Sequence, residues 1–157
     1  MKYIELTKGL RVKVDDEDYE NLNQFKWYAL QPTRNKNNYA ARGIVLNGKR
    51  TIQYMHRVIM ESKQYVDHIN NDSLDNRREN LRIATPAQSN MNRTSREGSS
   101  CKYLGVSITK GKYCAYIGHR GKKYYLGSYN NPNDAAIAYN NKAIELFGQF
   151  ANLNVIQ

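Results

Sequence analysis

Apolar and polar residues alternate along residues 3–14, YIELTKGLRVKV, with Ile4, Leu6, Leu10, Val12 and Val14 on the apolar side. A period of two is the pleat of a β-strand, and Lys8-Gly9 interrupts it midway, so the segment predicts a hairpin. Asp15 and Asp16 open a segment ending near Phe25. It predicts a short helix whose acidic first turn suits the helix dipole. Strand-like runs follow at residues 26–31, 39–46 and 50–54, and Asn47-Gly48 between the last two marks a tight hairpin turn. Residues 55–62 predict a short helix.

The pattern changes at residues 94–100, TSREGSS, where small polar residues and mixed charge read as a linker. Beyond it, residues 103–109, 112–119 and 122–129 alternate and are separated by Lys110-Gly111 and Arg120-Gly121, which predicts a three-strand meander. Pro132 precedes a helix capped by Asn133 or Asp134. Its helical period is Ala135, Ala136, Ala138, Tyr139, Ala143, Ile144 and Phe147, and Gly148 stops it. One helix covers one face of such a sheet. By parity, Val106, Ile108, Tyr113, Ala115, Ile117, Tyr124 and Leu126 meet the helix. Ser107, Thr109, Lys112, Cys114, Tyr116, Gly118, Lys123 and Tyr125 form the open face. The expected fold class is α+β: a strand-rich N-terminal domain, then a three-stranded antiparallel sheet with one packed helix.

Charge turns this architecture toward a partner. The 157 residues carry a formal net charge of +10, and residues 101–157 hold 7 Lys+Arg against 2 Asp+Glu. An acidic polymer is the natural counterpart, with nucleic acid ahead of an anionic membrane, because no long apolar run or basic amphipathic helix is present. The open sheet face carries hydroxyls, lysines and tyrosines without an acid, a surface suited to phosphate and groove contact. Hydrophobic content is 40%, supplemented by 13 Tyr, 3 Phe and 1 Trp. The two cysteines, Cys101 and Cys114, form no disulfide framework, and a four-cysteine zinc site is excluded by count. A reducing, cytoplasmic setting is expected, without a membrane partner or an evident obligate protein partner, and monomer and dimer both remain open.

The densest chemistry lies in residues 66–82, VDHINNDSLDNRRENLR. Asp67 beside His68 joins a carboxylate able to hold a hard cation to an imidazole able to take a proton near neutral pH. Asn80 follows twelve residues after the histidine, and Arg77, Arg78 and Arg82 can face a polyanion.

Residues 54–93 resemble the HNH endonuclease family, in particular its phage and intron-encoded branch, through YMHRVIM, VDHINNDSLDNRRENLRIAT and PAQSNMNR. Residues 101–157 resemble the APETALA2-type DNA-binding domain through KYLGVS, YYLGSY and NDAAIAYNNKAIELFGQFANLN. The resemblance implies a homing endonuclease with an HNH (ββα-metal) nuclease domain at 1–94, its ββα core at about 55–93. A linker at 95–100 and an APETALA2-like DNA-binding domain at 101–157 would follow. It further implies that Asp67 is a metal ligand, that His68 is the general base and that Asn80 bridges the loop to hold His68. One divalent cation, Mg²⁺ or Mn²⁺, would serve each site, with no structural zinc, and double-stranded DNA would be the partner. The remaining metal position falls on Ser89 in the ungapped register. A one-residue shift gives it to Asn90, the expected ligand, with Gln88 or a water as substitutes. This departure also admits a second reading, an HNH-fold DNA-binding regulator with a weakened or inactive nuclease. His56 is expected to be structural. Arg77 and Arg78 are expected to clamp backbone phosphate. Ser107, Thr109, Lys112, Tyr116, Lys123 and Tyr125 are expected to face the major groove.

Overall fold

The structure, a computed structural model, describes residues 1–32, 37–95 and 98–156. The chain forms two compact units, Met1–Pro86 and Ala87–Gln157. Both strands and helices are present in an α+β arrangement. The division lies upstream of the polar segment 94–100.

In the first unit, β1 (Lys2–Glu5) and β2 (Arg11–Val14) form the expected hairpin, with Lys2 opposite Val14 and Glu5 opposite Arg11. Lys8 and Gly9 both take positive φ at its turn. Helix α1 (Asp16–Asn23) begins with Asp16, Glu17 and Asp18. The Trp27 indole N–H donates to the Leu22 carbonyl at 2.8 Å, closing the end of α1 over the core. A second sheet has the order β3–β4–β5, from β3 (Tyr28–Leu30), β4 (Tyr39–Leu46) and β5 (Lys49–Tyr54). Asn47 and Gly48 both have positive φ, as the tight turn between β4 and β5 requires. Next come the short helix α2 (Met55–Ile59) and the hairpin of β6 (Val66–His68) and β7 (Leu81–Ile83). Ile4, Val12, Val14, Leu22, Trp27, Met55, Ile59, Val66 and Leu81 make one buried core drawn from all of these elements. Helix α3 (Pro86–Met91) crosses the division between the units.

The second unit is an antiparallel sheet of order β10–β9–β8, from β8 (Val106–Thr109), β9 (Lys112–His119) and β10 (Lys122–Tyr129). Helix α4 (Pro132–Phe147) packs on it through Ala135, Ala136, Tyr139 and Ala143. Its cap is Asn131, upstream of the two residues expected. The Asn131 side chain accepts from the Asn133 N–H at 2.9 Å, and Pro132 enters the first turn, where a missing N–H costs nothing. Asn154 then ties the C-terminal segment to the sheet entry. Its side chain accepts from Leu104 N–H at 2.6 Å and donates to the Leu104 carbonyl at 3.1 Å.

Two of the residues expected under α4, Ile108 and Tyr124, are instead exposed. Ile108 borders a hairpin turn and Tyr124 lies on an edge strand, whereas the helix covers the central strand. The parity count also breaks at a bulge between Tyr125 and Gly127, after which Ser128 pairs with Cys114. Cys114, expected to be exposed, is buried, its thiol 3.7 Å from the Ser128 hydroxyl. Cys101, expected at the linker, sits in the core with Tyr103 and Val106.

Gly105 decides how closely α4 approaches. A Cβ there would lie 2.1 Å from the Tyr139 ring and 2.6 Å from the Tyr116 carbonyl, at φ +74°. Gly105→Ala should therefore destabilise this unit by roughly 2–6 kcal/mol, overpacking and left-handed strain each contributing roughly 1–3. Urea unfolding followed by far-ultraviolet circular dichroism measures it.

Candidate active site and nucleic-acid interface

The β6–β7 hairpin is short, with Asp67 opposite Arg82 and His68 opposite Leu81, yet it carries a long connecting loop. Side-chain amides and carboxylates give that loop its shape. Asn80 accepts from the Asn70 N–H at 2.9 Å through Oδ1 and donates from Nδ2 to the Asp75 carbonyl at 2.7 Å. Asn70 donates to the Asp75 carboxylate at 3.0 Å and accepts from the Asp72 N–H at 2.8 Å. The loop is also sewn to β2, where Lys13 N–H donates to the Leu74 carbonyl and Asn76 N–H to the Lys13 carbonyl, each at 2.8 Å.

His68 closes β6 at the edge of this network and is buried. Its Nε2 lies 2.8 Å from the Asn76 side-chain oxygen. With that oxygen facing it, Nε2 carries the hydrogen and Nδ1 holds the ring's lone pair. Burial lowers the pKa of His68. The Asn76 bond and the carboxylates of Asp67, Asp72 and Asp75 oppose the shift without reversing it. The ring is therefore neutral at pH 7. Asn76 is fully buried and was not among the residues the sequence singled out; the only signal was its place in an Asn/Asp-rich run. His56 packs its ring against His68 at a 5.1 Å centroid distance and against Tyr54 at 5.5 Å, while Tyr39 meets both histidines. Desolvation, then the charge of His68, pushes the His56 pKa down to about 3.

The arginines are placed differently from expectation. Arg77 and Arg78 do not present their forks outward for phosphate. Arg77 grips Asp75 with two bonds of 2.8 and 2.7 Å and also pairs with Glu79. Arg78 grips Asp18 of α1 at 2.9 and 2.7 Å, and its N–H donates to Asp15 at 2.7 Å. Arg82, also read as facing a polyanion, donates to the Asp67 carboxylate at 2.9 and 3.1 Å. Each guanidinium meets a carboxylate that folding brings within reach, and a bidentate pair inside the protein outcompetes solvent.

Of the expected site residues, Asp67, His68 and Asn80 share this hairpin. Asn90 is an exposed residue of α3 and Ser89 is half-buried there; both fall in the second unit. Among the described residues, no group of three His, Cys, Asp or Glu side chains stands close enough to hold a metal.

The open face of the second sheet gathers the other expected residues. Ser107 pairs with Cys114, Thr109 with Lys112, Tyr116 with Tyr125, and Gly118 with Lys123. The Lys123 ammonium lies 4.0 Å over the Tyr116 ring, which meets the Tyr125 ring at 5.3 Å. Arg93, Tyr116, Gly118, Lys122 and Lys123 line an open groove of about 640 Å³ here. Ser128 joins this face because of the bulge, which counting by parity could not foresee.

Over 153 residues, 95% of this chain, the sequence is 31% identical to the uncharacterized HNH endonuclease L560 of Acanthamoeba polyphaga mimivirus, covering 77% of that protein. The chain belongs to the HNH endonuclease family. A stretch of 62 residues, 38% of the chain, is 39% identical to dehydration-responsive element-binding protein 2D of Arabidopsis thaliana. A putative dehydration-responsive element-binding protein 2H of the same plant matches equally, at 39% over 62 residues. These matches span 30% and 40% of the two plant proteins. No family model and no solved structure matches this HNH endonuclease-family chain.

Two outcomes follow from the geometry. Arg78→Ala should lower the melting temperature by removing the brace to α1, while leaving affinity for DNA near that of the unaltered protein; calorimetry and fluorescence anisotropy check both. The histidines set an acid limit. His56 and His68 titrate lower folded than their unfolded value of about 6.5, so the unfolded chain binds more protons as pH falls. The neutral rings' contribution is complete above pH 6.5 and is lost below it. Stability should fall from pH 6.5 toward pH 4, and His56→Phe should flatten that slope in pH-dependent denaturant titrations.

Proposed function

We propose that this protein is a metal-dependent DNA endonuclease of homing type. It would hydrolyse phosphodiester bonds in duplex DNA, in host cytoplasm or nucleoid, at a site read partly by its C-terminal unit. The observation that carries this reading is the buried, neutral His68, held through Asn76 and flanked by Asp67, in a chain of the HNH endonuclease family.

His68 accepts a proton from the attacking water at Nδ1, since Nε2–H is committed to Asn76. A neutral imidazole needs no prior deprotonation at pH 7. Asn80 acts one step back, fixing the loop that carries Asn76 and so the ring plane of His68. The donor chemistry at Asp67 fits a hard cation. Arg82 holds Oδ2, the carboxylate has a second oxygen, and Mg²⁺ commonly rests on one or two carboxylates plus waters and substrate phosphate. Asp67 and Asn90 would hold such an ion, Mg²⁺ or Mn²⁺. When bound, it supplies electrostatic stabilisation of the phosphorane-like transition state and the leaving 3′ oxygen. The open face of the second sheet, with Ser107, Thr109, Lys112, Tyr116, Lys123 and Tyr125, would lie in the major groove. The plant relatives' printed names, element-binding proteins, support that assignment.

The second reading, a DNA-binding regulator with a weakened nuclease, draws on Ser89 in the family register and on the Arg82 pair at Asp67. Supercoiled plasmid with Mg²⁺ or Mn²⁺ separates the two. The endonuclease should nick or linearise it, and His68→Ala should reduce the rate by at least 10²–10³-fold, the scale of a lost general base, with DNA affinity retained. Binding without cleavage under either metal would favour the regulator. A His68→Ala protein that still cuts would remove His68 as the base.

A further inference from the structure

The β4–β5 hairpin extends past the body of the first unit. Strand β3 pairs with β4 only from Tyr39 to Ala41, whereas β5 follows β4 out to Leu46 opposite Lys49. From Tyr54 to the turn the arm is about 17 Å long at roughly 3.4 Å per residue. A half-solvated sheet ordinarily buries one face. Here both faces of the outer arm are open. Val45 is 68% exposed, Leu46 60% and Ile52 49%, and Lys49, Arg50 and Thr51 beside them are exposed as well. Residues 39–54 contain Arg42, Lys49 and Arg50 and no acid.

The stem is stiff. The Arg42 guanidinium lies 3.6 Å over the Phe25 ring, and its Nε donates to the Gln53 side chain at 2.8 Å. Arg42 is thus a brace and not a contact. The Tyr39 and Tyr54 rings close the base of the arm at 6.0 Å, and both pack on His56, which packs on His68. The arm therefore emerges from the ring cluster that holds the candidate base.

We propose that this arm enters the major groove of duplex DNA and reads the sequence beside the cut, an inference that rests on the endonuclease reading above. A two-stranded ribbon fits the roughly 12 Å major groove, where apolar side chains meet thymine methyl groups and basic ones meet phosphate or guanine. Val45, Leu46 and Ile52 supply the first kind of contact, and Lys49 and Arg50 the second. The deep, narrow groove of A-form RNA does not admit such an element. A second copy of the arm is disfavoured as occupant, because it would set Lys49 and Arg50 against their own kind.

The test uses the full-length protein and a fluorescein-labelled 30-base-pair mixed-sequence duplex. Removing Lys49 and Arg50 together with alanine should weaken binding at least tenfold. It should also lower the slope of log affinity against log salt by about 1.8, near 0.9 for each lost phosphate contact. Val45→Ser with Leu46→Ser and Ile52→Ser should leave that slope unchanged and alter the sequences recovered when bound duplexes are selected from a randomised pool. Melting temperatures should stay close to that of the unaltered protein, since none of these side chains is in the core. If the unaltered protein binds the duplex and both sets of variants match it in affinity, slope and selected sequence, the arm is not a reader, though DNA binding stands. If the variants change only the sedimentation coefficient, the arm pairs copies of the chain and the proposal is overturned. If the unaltered protein binds no duplex, the reading beneath the proposal falls with it.

Discussion

The loop between β6 and β7 keeps its shape by hydrogen bonds among amides and carboxylates, and the candidate chemistry depends on them. Asn80 is the central link because one amide both accepts and donates, tying the Asn70 N–H to the Asp75 carbonyl. Asp75 is in turn gripped by Arg77, and Asn76 beside it reaches His68. Networks of this kind stabilise only when each member finds its partners, because an unpaired buried polar group costs roughly 1–3 kcal/mol. In return they hold a ring more tightly than aliphatic packing does. The two loop–β2 backbone bonds then transmit the first core to the site.

The charge of the chain divides into two populations. Arg77, Arg78 and Arg82 are spent on Asp75, Asp18 and Asp67, so the arginine-rich run beside the catalytic hairpin is internal bracing. The cations that remain exposed, such as Lys49, Arg50, Lys112, Lys122 and Lys123, lie on strands and turns away from that hairpin. A polyanion would meet those strands and turns, and the neutral His68 would wait behind them.

Much of the local architecture was legible because it follows short-range rules. Asn47-Gly48 announced its hairpin through the positive φ that both residues take. The meander announced itself by period-two alternation, and the parity of β8 and β9 located the open face. Legibility ended where one residue broke the count. The bulge after Tyr125 brought Ser128 onto that face, and nothing in the side-chain pattern marks it. The helix cap moved to Asn131 for a similar reason, since Pro132 fits within the first turn as readily as before it. Cys101 and Cys114 were assigned to the surface from their neighbours, and the packing of the sheet buried both.

At the site, the sequence by itself determined which groups are present: Asp67 beside His68, with Asn80 at the spacing of an amide bridge. A carboxylate, an imidazole and an amide carry their chemistry wherever they fold. Only the tertiary structure decided which charges cancel. Whether Arg78 meets a phosphate or Asp18 depends on a partner 60 residues away. The pairing of Arg82 with Asp67 depends on the register of two three-residue strands. Likewise, the neutrality of His56 and His68 is a property of burial, set by the distant residues that pack around the rings and exclude water from them.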